Sequence, residues 1–153
     1  MPGGTYLYRC DRCPLICEVG GGVAWGDDGK VTLEELWVAC GACGTMHRLT
    51  ERAGTCRVFA FPGPVRRMRA VTVPDGSGNT YETEELAVEG EPRDVGELAG
   101  GIAALDGLSC GHCGQVGRMV TAADLRDSAG RYREADCPVC GQPLEGFGLS
   151  DWI

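Results

Sequence analysis

At 153 residues with a formal net charge of −8, the chain is long enough for one ordinary domain or two very small ones. No stretch approaches the roughly 18 apolar residues of a membrane-spanning helix, so a helical span is excluded and no membrane partner is expected. The opening "MPGGTYLY" has no basic start and no apolar run before the first cysteine, which sets the expectation of a cytoplasmic protein with reduced thiols. In that compartment ten cysteines point to metal rather than to a disulfide scaffold.

Taken in chain order, the first feature is the pair Cys10-x2-Cys13, followed after 26 residues by Cys40-x2-Cys43. Between them "VGGGVAW" and "WGDDGKV" predict a hairpin around Asp28-Gly29, and "LWVAC" a short strand that delivers the second pair. The middle begins with "CRVFAF" and "VRRMRAVTV", a strand pair around the proline-containing break "PGP". "PDGSGN" reads as a loop, and "YETEELAVEGEP" is acidic without a clear period. Val95, Leu98, Ile102 and Leu105 recur at helical spacing and predict a short amphipathic helix, although Gly96, Gly100 and Gly101 oppose it.

A second module opens with Cys110-x2-Cys113, followed after 23 residues by Cys137-x2-Cys140. Thr121 before "AADLRDSAG" fits either a capped helix ended by Gly130 or one side of a longer hairpin, and "RYREADC" reads as a strand into Cys137. The expected organisation is therefore residues 1–55, a middle segment 56–106 of strand pair, acidic loop and short helix, and residues 107–153. The fold expected is small, β-rich α+β, with a four-cysteine metal module at each end joined by a β/helical middle.

The chemistry of the pairs follows from their spacing. Two thiolates on a Cys-x2-Cys turn can face one ion, and glycine after the second cysteine, here Gly44, Gly114 and Gly141, lets the turn close. One such knuckle supplies half a tetrahedron, so a structural site needs two. Pairing in chain order gives Cys10, Cys13, Cys40 and Cys43 as one quartet and Cys110, Cys113, Cys137 and Cys140 as the other. Zinc is the metal expected, two ions per chain, because it is tetrahedral, redox-inert and suited to four thiolates; iron is the alternative. Modules of about 40 residues are too small for a robust core without such a staple. Two zinc ions, each held by four thiolates, would take the formal charge to about −12.

These residues resemble the zinc ribbons over roughly 10–48 and 108–145, on cysteine spacing and knuckle glycines. "CPVCG" (137–141) is also similar to the second knuckle of rubredoxin-type sites. The ribbon resemblance implies a fold and a metal, and relatives that include transcription and translation factors, polymerase subunits and accessory ribbons on enzymes. The rubredoxin resemblance implies iron and electron transfer at the second site.

Several residues fall outside the quartets. Cys17 and Cys56 read as small buried hydrophobes, with a spare ligand or reactive thiol as the alternative. His47 and His112 read as solvent-facing knuckle residues, without the partners of a catalytic constellation. Trp25, Trp37 and Trp152 read as core or interface anchors. Arg48, Arg52, Arg57, Arg66, Arg67 and Arg69, interleaved with Phe59 and Phe61, form a basic stretch that suits a partner surface or single-stranded nucleic acid. Against this, residues 75–106 carry nine acidic side chains and one basic, and offer those arginines counterions. The function expected is a non-enzymatic, zinc-binding adaptor or regulatory protein that contacts another protein. A nucleic-acid-binding ribbon protein is the first alternative, and rubredoxin-like electron transfer the second.

Overall fold

Strands dominate the computed structural model, which describes residues 3–10, 12, 16–117, 119–125, 136–137 and 140–152. The strands in chain order are β1 (Gly3–Cys10), β2 (Ile16–Trp25), β3 (Val31–Cys40), β4 (Thr45–Arg52), β5 (Thr55–Pro64), β6 (Met68–Pro74), β7 (Thr80–Leu86), β8 (Arg93–Glu97), β9 (Met119–Val120) and β10 (Leu144–Trp152). Eight of them form one antiparallel sheet in the order β10-β1-β2-β3-β4-β5-β8, with β9 paired to the end of β3. β6 and β7 make a separate hairpin.

Turn chemistry sets the meander from β1 to β5. The Asp28-Gly29 signal forms the β2–β3 turn: the Gly26 amide donates to the Lys30 carbonyl at 2.8 Å, and Gly29 sits at φ 77°. Arg52 pairs with Thr55 across Ala53-Gly54, whose φ values of 53° and 80° are those of a two-residue turn that preserves strand twist. In the β6–β7 turn the Asp75 carboxylate accepts from the Ser77 amide at 2.8 Å and hydroxyl at 2.6 Å.

Alternation along the strands gives the sheet two faces. On one, Val38, Leu49, Cys56 and Val58 are buried under Leu98, Ile102, Leu105, Leu108 and Met119. Tyr8, Cys17, Val19, Val120 and Leu144 form a second cluster, which also contains Cys10 and Cys137. The register partners Trp37, Arg48 and Phe59 point the other way. On that side Ile16, Met46 and Val65 pack against Phe61, Met68, Leu86 and Val88 at the base of the β6–β7 hairpin.

The α+β fold class with a β/helical middle is corrected by this architecture: 58% of the described residues are in strands and 7% in helical turns. The helix expected from Asp94 onward is instead β8 followed by a 3-10 turn, Ile102–Gly107. Its apolar residues do reach the core. However, Gly96, Gly100 and Gly101 take φ values of 114°, 86° and 72°, a left-handed conformation that interrupts a right-handed helix. The two strands around "PGP" exist, but β5 lies between β4 and β8 while β6 pairs with β7, inside the acidic stretch read as aperiodic. After Thr121 there is a 3-10 turn, Ala122–Leu125; Gly130 and most of "RYREADC" lie outside the described residues.

In an antiparallel meander the β1–β2 and β3–β4 connections emerge at the same end of the sheet. The strand order puts β2 between β1 and β3, so Cys10 and Cys40 end strands that are about two strand spacings, roughly 10 Å, apart.

Candidate metal centres

Cys40 ends β3, and Cys43 closes the turn into β4. Cys110 and Cys113 lie on the knuckle after the 3-10 turn. The structure brings these four together: all four Sγ atoms lie within 4.8 Å of one another. Cys40 and Cys113 are 3.7 Å apart, and Cys43 and Cys110 3.6 Å. A tetrahedral ion with metal–sulfur bonds of about 2.3 Å sets its sulfurs roughly 3.8 Å apart, close to these two distances, so the cluster can hold one ion.

The second group is Cys10, Cys137 and Cys140, again within 4.8 Å, with Cys10 and Cys140 at 3.4 Å. Cys13 lies outside the described residues. Strand pairing explains this group, since Cys10 is the register partner of Leu144 and the last knuckle leads directly into β10. Both groups can hold a metal ion. No disulfide links the described cysteines to one another.

The grouping differs from the chain-order quartets. The second cysteine pair meets the third, and Cys10 meets the fourth. Among the described residues Cys10 groups with Cys137 and Cys140 and not with Cys40 or Cys43, and β2 lies between the strands that Cys10 and Cys40 end.

The knuckles have the expected form. Gly44, Gly114 and Gly141 take φ values of 79°, 77° and 78°. Their amides donate to the carbonyls of Cys40, Cys110 and Cys137 at 2.8, 3.0 and 2.8 Å. Further amides point at sulfur: Ala42 to Cys40 at 3.4 Å, and His112 and Cys113 to Cys110 at 3.4 and 3.5 Å.

The thiols do not share one acidity. Burial pushes Cys40 up to about 12 and also raises Cys110. Burial raises Cys43 as well, but hydrogen bonds from the Thr45 hydroxyl and amide, with those from the neighbouring thiols, outweigh it and bring Cys43 to about 7. A bound divalent cation supplies the charge that lets all four ionise together.

His47 holds this site in place. Thr45, His47 and Leu49 alternate onto the buried face of β4, and each is fully buried. His47 Nε2 accepts the Gly111 amide at 3.0 Å, and Nδ1 lies 3.1 Å from the Thr45 carbonyl, to which it donates in the matching tautomer. The Arg93 guanidinium donates to the Gly111 carbonyl. Burial lowers the His47 pKa below its usual value, which keeps the ring neutral. The solvent-facing reading is therefore corrected for His47; His112 is exposed. The signal in the sequence is the alternation Thr45-His47-Leu49, which sets the histidine on the same face as a core leucine. Gly111 is small for a reason: a Cβ there would stand 2.7 Å from Ala60 Cβ and 3.0 Å from Val95 Cγ1.

Cys17 and Cys56 are buried. Burial first, then Cys137 and Glu18, pushes Cys17 up to about 12; burial, then Glu51 and Glu34, raises Cys56. Both are thus neutral thiols near pH 7.

The six arginines do not form one cationic face. Arg57 pairs with Asp94 at 2.8 Å and Glu97 at 3.6 Å, Arg67 with Glu89 at 3.2 Å, and Arg69 with Glu85 at 2.6 Å. Arg48 stacks over Phe59 and Trp37, 4.9 and 5.7 Å from their ring centres. Arg52 and Arg66 are exposed. Trp25 is 57% exposed, and the side chain of Trp152 lies outside the described residues.

No protein-family model, curated protein or solved structure matches the chain.

Proposed function

We propose that the protein is a non-enzymatic adaptor whose sheet is stapled by two zinc ions. The observation that carries this reading is the Cys40–Cys43–Cys110–Cys113 cluster, which has tetrahedral spacing and joins residues 70 apart in sequence. A structural zinc site contributes roughly 10–16 kcal/mol of apparent binding energy, realised only when the chain folds. With one ion in each group, both late knuckles are fastened onto the β1–β4 meander. Their role is to hold one surface in shape. A nucleic-acid role is disfavoured by the pairing of Arg57, Arg67 and Arg69 with acidic neighbours. Zinc is favoured over iron as the redox-inert ion suited to a purely structural set of four thiolates.

Metal analysis of protein purified without added metal tests the first half; two zinc per chain and no colour are expected, and iron would overturn it. For the second half, zinc-loaded protein should bind a purified protein partner, and the chelated form should not. Binding only to RNA or DNA, weakened steeply by salt, would overturn the adaptor reading.

A further inference from the structure

The two centres share an asymmetry. In the first, Cys113 is exposed, Cys43 is half-buried, and Cys40 and Cys110 are buried; in the second, Cys140 is exposed while Cys10 and Cys137 are buried. The exposed thiol holds the same place in both, as the second cysteine of a late knuckle. Its close sulfur neighbour also holds the same place, at the end of an early strand. Cys113 Sγ lies 3.7 Å from Cys40 Sγ at the end of β3, and Cys140 Sγ lies 3.4 Å from Cys10 Sγ at the end of β1. These contacts join positions 73 and 130 residues apart. Cys17 and Cys56 are buried and belong to neither group, although Cys17 packs in the same cluster as Cys10 and Cys137.

Oxidation of cysteine follows thiolate character and exposure. A thiolate ligand that meets solvent therefore meets a peroxide before its buried neighbours do. We propose that Cys113 and Cys140 are sites of modification by a hydroperoxide, resolved by Cys40 and Cys10 into disulfides that replace the zinc staples. The Cys113 sulfur attacks the O–O bond of hydrogen peroxide; an S–O bond forms and the other oxygen leaves as hydroxide. The Cys40 thiolate then attacks that sulfenic sulfur; the S–S bond forms, the S–O bond breaks and a second hydroxide leaves. Each sulfur gives up one electron, the peroxide takes up both, and protons from solvent turn the two hydroxides into water. The ion, stripped of these ligands, leaves hydrated. The same steps join Cys140 to Cys10. A bridge across 73 or 130 residues constrains the unfolded chain strongly, whereas one within a single Cys-x2-Cys knuckle would leave that knuckle detached. The late knuckles thus stay fastened to the meander after the metal has gone. The inference rests on the zinc reading and adds a regulation of the same two centres.

The test uses the full zinc-loaded chain, its metal content measured first. Hydrogen peroxide is added, released zinc is read with a chromogenic chelator, and remaining thiols are alkylated in denaturant before the disulfides are mapped by mass spectrometry. The expected result is loss of both ions with Cys40–Cys113 and Cys10–Cys140 crosslinks, while Cys17 and Cys56 are alkylated. The oxidised, zinc-free chain should still unfold cooperatively, unlike the chelated reduced chain, and a dithiol should restore zinc uptake. Crosslinks confined to single knuckles, a crosslink to Cys17, sulfinic acids without crosslinks, or zinc retained with intact thiols would each overturn the inference while leaving the zinc reading standing. A chain that takes up no zinc at the outset would overturn the zinc reading and the inference with it.

Discussion

Replacing His47 with phenylalanine keeps the ring volume in a fully buried site and deletes both polar atoms. The Gly111 amide then loses its acceptor inside the protein, and the Thr45 carbonyl loses the ring nitrogen. An orphaned buried donor costs about 1–3 kcal/mol and a lost hydrogen bond about 0.5–1.5, so the variant should be less stable by about 2–4 kcal/mol. Gly111 lies on the knuckle between Cys110 and Cys113, so metal affinity should also fall, by about 10–100-fold as for other outer-sphere partners. The measurements are denaturant unfolding of zinc-loaded protein and competition against a chelator of known affinity. The pH dependence gives an independent check. Burial holds the folded His47 pKa below the ordinary 6.5, so below that value the unfolded chain binds more protons here than the folded one. The stabilising contribution is complete above 6.5 and is lost as pH falls through the lower, folded value. Wild type minus His47→Phe should therefore shrink across that acidic window and stay constant above it. Wild-type zinc affinity and stability in His47→Phe would refute the assignment of His47 as the clamp on this knuckle.

The crossed grouping can be read by metal counting. Cys40→Ser should lower the content by one ion, adding Cys110→Ser should lower it no further, and adding Cys10→Ser instead should remove the second; the opposite pattern would restore the chain-order quartets. Gly111→Ala places a methyl against Ala60 and Val95 and should cost about 1–3 kcal/mol by overpacking, seen as a lowered melting temperature with weaker zinc retention. Leu49→Ala empties the centre of the β4 face and should cost about 2–5 kcal/mol in denaturant unfolding, with metal content unchanged. Chelation should abolish cooperative unfolding of the wild type, because the late knuckles lose their attachment to the meander.

The knuckles are legible because their chemistry is local. The cysteine spacing, the following glycines and their left-handed φ all lie within five residues, and the β2–β3 turn is local in the same way. The helix expected after Asp94 does not form, although its apolar residues do belong to the core. Helical spacing and a strand followed by a tight turn can bury the same leucines, and three left-handed glycines decide between them.

Which knuckle meets which is a different kind of question. The intervals of 26 and 23 residues both permit a hairpin that folds back and joins neighbouring knuckles. The chain instead keeps β2 paired to β1 from Gly3 to Arg9 and to β3 from Gly20 to Trp25, which holds Cys10 and Cys40 on opposite sides of β2. That choice is stable only because the outer edge of β1 is covered by β10, more than 130 residues away, and because β9 takes up Ala39 and Cys40 beyond the end of the β2 pairing. Each late knuckle is carried to its partner by the strand beside it: Cys140 precedes β10, and Cys113 precedes β9. The metal grouping is thus a consequence of long-range strand order. A reading built on spacing can identify the ligands, but their partners are set by the sheet.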